Sequence, residues 1–212
     1  MHQFMEDLIF KYFPNLSKEQ REQFKMLFPL YKDWNSKINL ISRADIDNLY
    51  EHHVLHSLAI AKFFEDEKII QTVPSDSGES ATDKSHGNNY TSTYSLNIMD
   101  VGTGGGFPSV PISILYECLE VYPIDSIRKK VKVIEDITQE LKLENLHPIN
   151  DRVENISEKF DFVTARAVAS LDVILKGLAI LAGQCPSTGK SFKRSRIILP
   201  YSRTTFGRIS FT

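Results

Sequence analysis

A chain of 212 residues that is 42% hydrophobic and 25% charged has the composition of a soluble globular protein able to bury a core, which excludes disordered and fibrous classes. No apolar run reaches the roughly 18 to 20 residues that span a bilayer. The net charge of −2 hides an asymmetry, because residues 173–212 hold seven Lys or Arg (Lys176, Lys190, Lys193, Arg194, Arg196, Arg203, Arg208) and no Asp or Glu. Such a basic end suits either a polyanion such as RNA or a solvated tail.

The start, Met1-His2-Gln3-Phe4-Met5-Glu6-Asp7, is acidic and does not read as a secretory leader. Cys118 and Cys185 are the only cysteines, too few for a zinc cluster or a disulfide framework, so reduced thiols and a cytoplasmic location are expected.

Residues 1–70 read as helical. Ser17 followed by Gln20 has capping-box spacing, and Phe24, Leu27, Phe28 and Tyr31 repeat at helical period. Pro29 is expected to kink or interrupt that segment. Asp33 to Leu40 is polar and Asn-rich, with Trp34 as an anchor. Asp45 to Glu65 reads as one helix carrying His52, His53 and His56. His52 and His56 share a face at a spacing that zinc helices use, but only Glu51 lies near them, so polar packing or substrate contact is expected and no metal. Gln71 to Ser95 is dominated by Ser, Thr, Asn, Asp and Gly and reads as a mobile linker.

From residue 96 strands and helices alternate. Strands are expected at Leu96–Val101, Leu119–Ile124, His147–Asn150 and Phe160–Ala165, with helices over Pro108–Tyr116, Ser126–Leu143 and Leu171–Leu181. That order implies a mostly parallel sheet with right-handed crossovers. In residues 184–212 only Arg196–Leu199 reads as a strand.

The first strand runs into Asp100-Val101-Gly102-Thr103-Gly104-Gly105-Gly106-Phe107-Pro108. Glycines at a strand-to-helix turn let the backbone approach a nucleotide-type ligand. A P-loop would need Lys and then Ser or Thr where Phe107 and Pro108 stand. A dinucleotide fingerprint would need glycine at Phe107. The pattern acid-x-Gly-x-Gly-x-Gly fits at every position and resembles motif I of the Rossmann-like S-adenosylmethionine methyltransferases. Asp125, 21 residues after Gly104 and at the end of the next strand, is placed to accept both ribose hydroxyls, although a cap beside Ser126 gives it a structural reading too. On these residues a nicotinamide cofactor, and with it an NAD-type oxidoreductase, stays an alternative.

Several further motifs carry a family resemblance. Asp125-Ser126 with Lys129-Lys130, Leu143-Glu144-Asn145-Leu146, Arg152-Val153-Glu154 and Ala165-Arg166-Ala167-Val168-Ala169-Ser170 follow the glycine motif in order. Trp34-Asn35-x-Lys37-Ile38-Asn39-Leu40 and His53-x-x-x-Ser57-Leu58 precede it. Together they resemble the ribosomal RNA small subunit methyltransferase G family, also called glucose-inhibited division protein B, over roughly residues 20–70 and 96–182.

The resemblance implies an α/β fold, a Rossmann-like methyltransferase sheet with an N-terminal helical extension. The parts expected are the extension over 1–70, the linker over 71–95 and the S-adenosylmethionine-binding domain over 96–212. It also implies methyl transfer from S-adenosylmethionine to guanine N7 of 16S ribosomal RNA, on the RNA or the small subunit, by a monomer with no membrane association. Gly102, Gly104, Phe107, Asp125, Val153, Glu154 and Arg166 are the expected cofactor-binding residues. Guanine N7 carries a free lone pair, so no catalytic base is assigned. An RNA-binding relative impaired by its altered C-terminus is a further alternative.

Overall fold

The computed structural model describes residues 6–72, 90–91, 96–166, 196–201 and 205–209. Helix α1 spans Asp7–Tyr12 and α2 spans Lys18–Lys37. The capping box at the start of α2 is formed: Gln20 N–H donates to Ser17 Oγ and Ser17 N–H to Gln20 Oε1, satisfying two amides that have no partner within the helix. Phe24, Leu27 and Tyr31 are fully buried along one face, each contributing about 1.5–3 kcal/mol.

Pro29 does not interrupt α2, which continues through it as one helix. Proline removes the amide that would bond the Lys25 carbonyl. The hydroxyl of buried Tyr50 replaces that donor, reaching the Phe24 carbonyl at 2.8 Å and the Lys25 carbonyl at 3.2 Å. Tyr50→Phe is therefore expected to destabilise the fold by about 1–2 kcal/mol, read as a lower urea midpoint with an unchanged slope.

The single helix expected over Asp45–Glu65 is three segments. A 3-10 turn at Ile46–Asn48 leads into a π-helix over Leu49–Leu55 and then into α3 over His56–Asp66. Gln71–Thr72 (β1) pairs antiparallel with Tyr90–Thr91 (β2). The rest of the expected linker lies outside the described residues, as do the expected helix over Leu171–Leu181 and Cys185.

Strand β3 (Leu96–Val101), helix α4 (Ser109–Leu115), strand β4 (Leu119–Ile124), helix α5 (Arg128–Leu141) and strand β5 (Phe162–Ala165) follow. Strand β6 covers Arg196–Tyr201 and β7 covers Thr205–Ile209. The sheet order is β4-β3-β5-β6-β7, with β7 antiparallel to β6 and every other pair parallel. The expectation of one terminal strand is thus corrected to two.

The expected strand at His147–Asn150 is reduced to two bridges on the free edge of β4, Val121 with Leu146 and Ile124 with Ile149. Pro148 lies between them and has no amide to donate.

The sheet is covered on both faces, as parallel sheets require. Ile98, Val121 and Phe162 point into the main core with α2–α5, whereas Met99, Ile124, Val163 and Ala165 join a second cluster with Val153, Ile156 and Phe160. The main core is shared between the N-terminal helices and the sheet. Side chains of α2 also cap the helices that follow: Gln20 Nε2 donates to the Ile114 and Leu115 carbonyls, and Gln23 Nε2 to that of Leu141. No helix among the described residues is long and apolar enough to cross a membrane.

Candidate functional site

Register decides where the site lies. Val101 pairs with Ile124 on one side and Ala165 on the other, so the carboxyl ends of β3, β4 and β5 are level. Gly102, Asp125 and Arg166 each follow one of those three residues. The chain leaves β3 towards β4 and later returns to β5 on its other side, which makes the end of β3 a topological switch point and a crevice for ligands.

Gly102, Gly104 and Gly106 all have positive φ, at 66°, 59° and 87°. Two of them do different work. A Cβ on Gly106 would lie 2.9 Å from Val110 Cγ2 and 3.1 Å from Tyr31 Oη, so this glycine lets the turn pack against α4 and α2. A Cβ on Gly104 would meet only the Gly102 carbonyl, at 3.9 Å. Above Gly104 is open space, into which backbone is presented without a side chain. The turn is held from below by Tyr31, whose hydroxyl donates to the Gly105 carbonyl at 2.6 Å.

Asp125 holds the same turn from the side. Its Oδ2 accepts from Gly104 N–H at 3.0 Å and its Oδ1 from Ile127 N–H at 2.8 Å. The second bond is an Asx turn and not a helix cap, since the N-cap of α5 is Ile127, which has no side-chain cap bond. Each oxygen keeps a further lone pair for a ligand hydroxyl.

Asp100, the acid of the motif, is buried. It accepts from Ser109 Oγ at 2.7 Å and Thr164 Oγ1 at 3.2 Å. Burial pushes its carboxyl above the usual carboxylate range, opposed by the hydroxyls of Thr103, Ser109 and Thr164 and then by the Arg166 charge. Asp100 braces β3, β5 and α4 together.

Phe107 is only 2% exposed. Its ring packs 4.7 Å from Tyr31 and 5.3 Å from His53, and the Arg166 guanidinium lies over it at 5.4 Å. Arg166 Nη2 meets His53 Nδ1 at 3.1 Å, with a longer contact from Nη1 to His56 Nδ1 at 3.5 Å. A guanidinium only donates, so the lone pairs of these imidazoles face it. The other nitrogen of His53, Nε2, meets Asp45 Oδ2 at 2.8 Å, while His52 Nδ1 meets Asp45 Oδ1 at 2.6 Å.

The histidine cluster singled out in the sequence is therefore built into the contact between the π-helix and the end of β5. Val153 is buried in the second core cluster beside the ends of β3, β4 and β5. Glu154, next to it in a 3-10 turn over Val153–Asn155, is exposed. Tyr31 and Asp45 were not among the expected site residues. They lie in a helix and a turn far from the glycine motif in sequence, and no local pattern marks them.

This cluster has a pH signature. Burial, then the Arg166 charge, lowers both histidines below their ordinary 6.5, with Asp45 opposing in His53. Although desolvation alone would raise it, hydrogen bonds from His52, His53 and Asn48 bring Asp45 down to about 2. Depressed histidines contribute stability above their unfolded value that is lost as pH falls through the folded one. The melting temperature is thus expected to drop as pH falls below 6.5, well before Asp45 titrates. In His56→Gln that drop is expected to be shallower, as thermal melts across this range would read.

The family model described as GidB, rRNA small subunit methyltransferase G, matches residues 20–78 and 81–184. The ribosomal RNA small subunit methyltransferase G of Phocaeicola vulgatus is 46% identical over 170 residues, covering 80% of this chain and 69% of the relative. That of Bacteroides thetaiotaomicron is 44% identical over 170 residues, covering 80% and 70%. The matched span takes in the glycine turn, Asp125, the Val153-Glu154 pair, Arg166 and the histidines that face it, and on that ground the chain belongs to the rRNA small subunit methyltransferase G family.

Proposed function

We propose that this chain transfers a methyl group from S-adenosylmethionine to N7 of a guanine in 16S ribosomal RNA, acting in the cytoplasm as a monomer. The observation that carries the reading is the turn after β3, where the open space over Gly104 adjoins a carboxylate with free lone pairs, in a chain of this family. A nucleoside cofactor fits that arrangement, since the backbone can be approached closely and Asp125 can accept two ribose hydroxyls. Family membership favours the methyl donor over a nicotinamide.

In this reading Gly102 and Gly104 line the cofactor's path and Asp125 holds its ribose. Val153 and Glu154 flank the adenine, and Phe107 and Arg166 wall the other end. The bound cofactor supplies a sulfonium methyl electrophile. Guanine N7 already presents its lone pair, so the chain's residues need only orient the acceptor and exclude water. No side chain is needed to take a proton. The target base must be splayed from the folded RNA to reach the crevice.

The test is labelled methyl transfer to 30S particles and to naked 16S RNA from cells lacking the modification. Label in a guanine at N7 is expected. Label at another atom, or none alongside nicotinamide binding, overturns the reading.

A further inference from the structure

Arg166 closes β5 at the same level as the glycine turn and Asp125, yet among the described residues it forms no salt bridge; the acid whose charge it feels is Asp100, which is buried and pushed towards its neutral form. Among the described residues its polar partners are His53 at 3.1 Å and His56 at 3.5 Å, both through Nδ1, and its flat face covers the Phe107 ring at 5.4 Å. A carboxylate in that place would fix the guanidinium but offset its charge. A neutral imidazole lone pair fixes its direction without adding a negative charge beside it.

That lone pair exists only in one tautomer. His53 must carry its proton on Nε2, and Nε2 faces Asp45 Oδ2 at 2.8 Å. The other Asp45 oxygen is occupied by His52 Nδ1 at 2.6 Å. The π-helix over Leu49–Leu55 supplies His52 and His53, and His56 begins α3 one turn on. A chain of bonds therefore runs from the 3-10 turn before the π-helix to the carboxyl end of the sheet.

We propose that Asp45 and His53 are positioning residues for Arg166: Asp45 keeps the His53 proton on Nε2, and the lone pair so left on Nδ1 aims the guanidinium into the crevice without a salt bridge to tie it up. This rests on the methyl-transfer reading of the crevice. Arg166 then serves an electron-rich group of the cofactor or the acceptor base, and the two partners act only through it. The tautomer is selected by a hydrogen-bonded carboxylate, and Asp45→Asn can present an amide N–H to Nε2 and reverse it.

Three measurements test the proposal on the full chain. Long-range ¹H–¹⁵N spectra of the histidines are expected to show His53 neutral with Nε2–H at pH 7 and a changed tautomer in Asp45→Asn. A protonated His53, or one with Nδ1–H, overturns it. In methyl transfer to 30S particles and in calorimetric S-adenosylhomocysteine binding, His53→Gln keeps a donor for Asp45 but loses the acceptor for Arg166. It is expected to lose roughly tenfold to a hundredfold, the range seen when a partner that orients a site group is removed. His53→Asn places an amide oxygen near the Nδ1 position and is expected to recover most of that loss. The reverse order of the two variants overturns the proposal.

A double-mutant cycle supplies the third arm. In an Arg166→Gln background, adding His53→Gln is expected to change neither quantity further, because the histidine acts through the arginine. Losses that multiply overturn the proposal. If the unsubstituted protein neither binds S-adenosylhomocysteine nor methylates 30S particles, the methyl-transfer reading fails by itself, while the histidine spectra still decide the tautomer.

Discussion

Gly104→Ala is expected to fold and to lose S-adenosylhomocysteine, whereas Gly106→Ala, two residues away, is expected to be severely destabilised. Both glycines have left-handed φ, 59° and 87°, so alanine costs about 1–2 kcal/mol at either. The difference is what the added methyl meets. At Gly104 the nearest atom is 3.9 Å away, which is ordinary contact. The methyl occupies only the open space that a cofactor would take. At Gly106 it would lie 2.9 Å from Val110 Cγ2 and 3.4 Å from Ile134 Cγ1, both in the buried core.

Overpacking of that kind adds about 1–3 kcal/mol, and the sum is a large part of a typical stability of about 5–15 kcal/mol. Thermal melts without ligand should separate the two variants by several degrees. Calorimetry on Gly104→Ala should show affinity reduced on the order of a hundredfold. Full affinity in Gly104→Ala would remove this glycine from the cofactor path.

The parts of the fold that could be read from the chain are those where local rules and packing agree. β3 and β4 are bounded as expected because each is an apolar run closed by a turn signal. The Ser17–Gln20 cap forms because both partners lie within one turn. The failures share a physical cause, a partner distant in sequence. Pro29 does not break α2, because Tyr50 brings a hydroxyl to the Lys25 carbonyl from 25 residues beyond Lys25. β7, Thr-Phe-Gly-Arg-Ile, has weak strand propensity and exists by pairing with β6. The histidines' role could not be read either: the contact of His53 with Arg166 spans 113 positions. The placing of the glycine turn and Asp125 at neighbouring strand ends was legible for the opposite reason, since motif, turn and strand end are contiguous.

Asp125 has a scaffold role in the structure and a ligand role in the proposed reading, and its variants should separate the two. Asp125→Ala leaves Gly104 N–H and Ile127 N–H without the acceptors they now have at 3.0 Å and 2.8 Å. Losing two such bonds to a carboxylate that is 7% exposed is expected to destabilise the ligand-free protein by about 2–4 kcal/mol. Asp125→Asn is nearly the same size, yet it should not rescue. An amide offers one acceptor oxygen, so one N–H is satisfied while the other faces the amide's own donors. The ribose hydroxyls lose the same acceptor.

Both variants are therefore expected to bind S-adenosylhomocysteine at least tenfold more weakly and to gain less in melting temperature at saturating ligand. The ligand-induced gain separates the roles, because it is measured from each variant's own ligand-free baseline. A low baseline with a full gain would leave Asp125 as a brace for the glycine turn alone. A low baseline with a small gain assigns it both. The second result is the one expected on the proposed reading, since the carboxylate that fixes Gly104 also borders the open space above it.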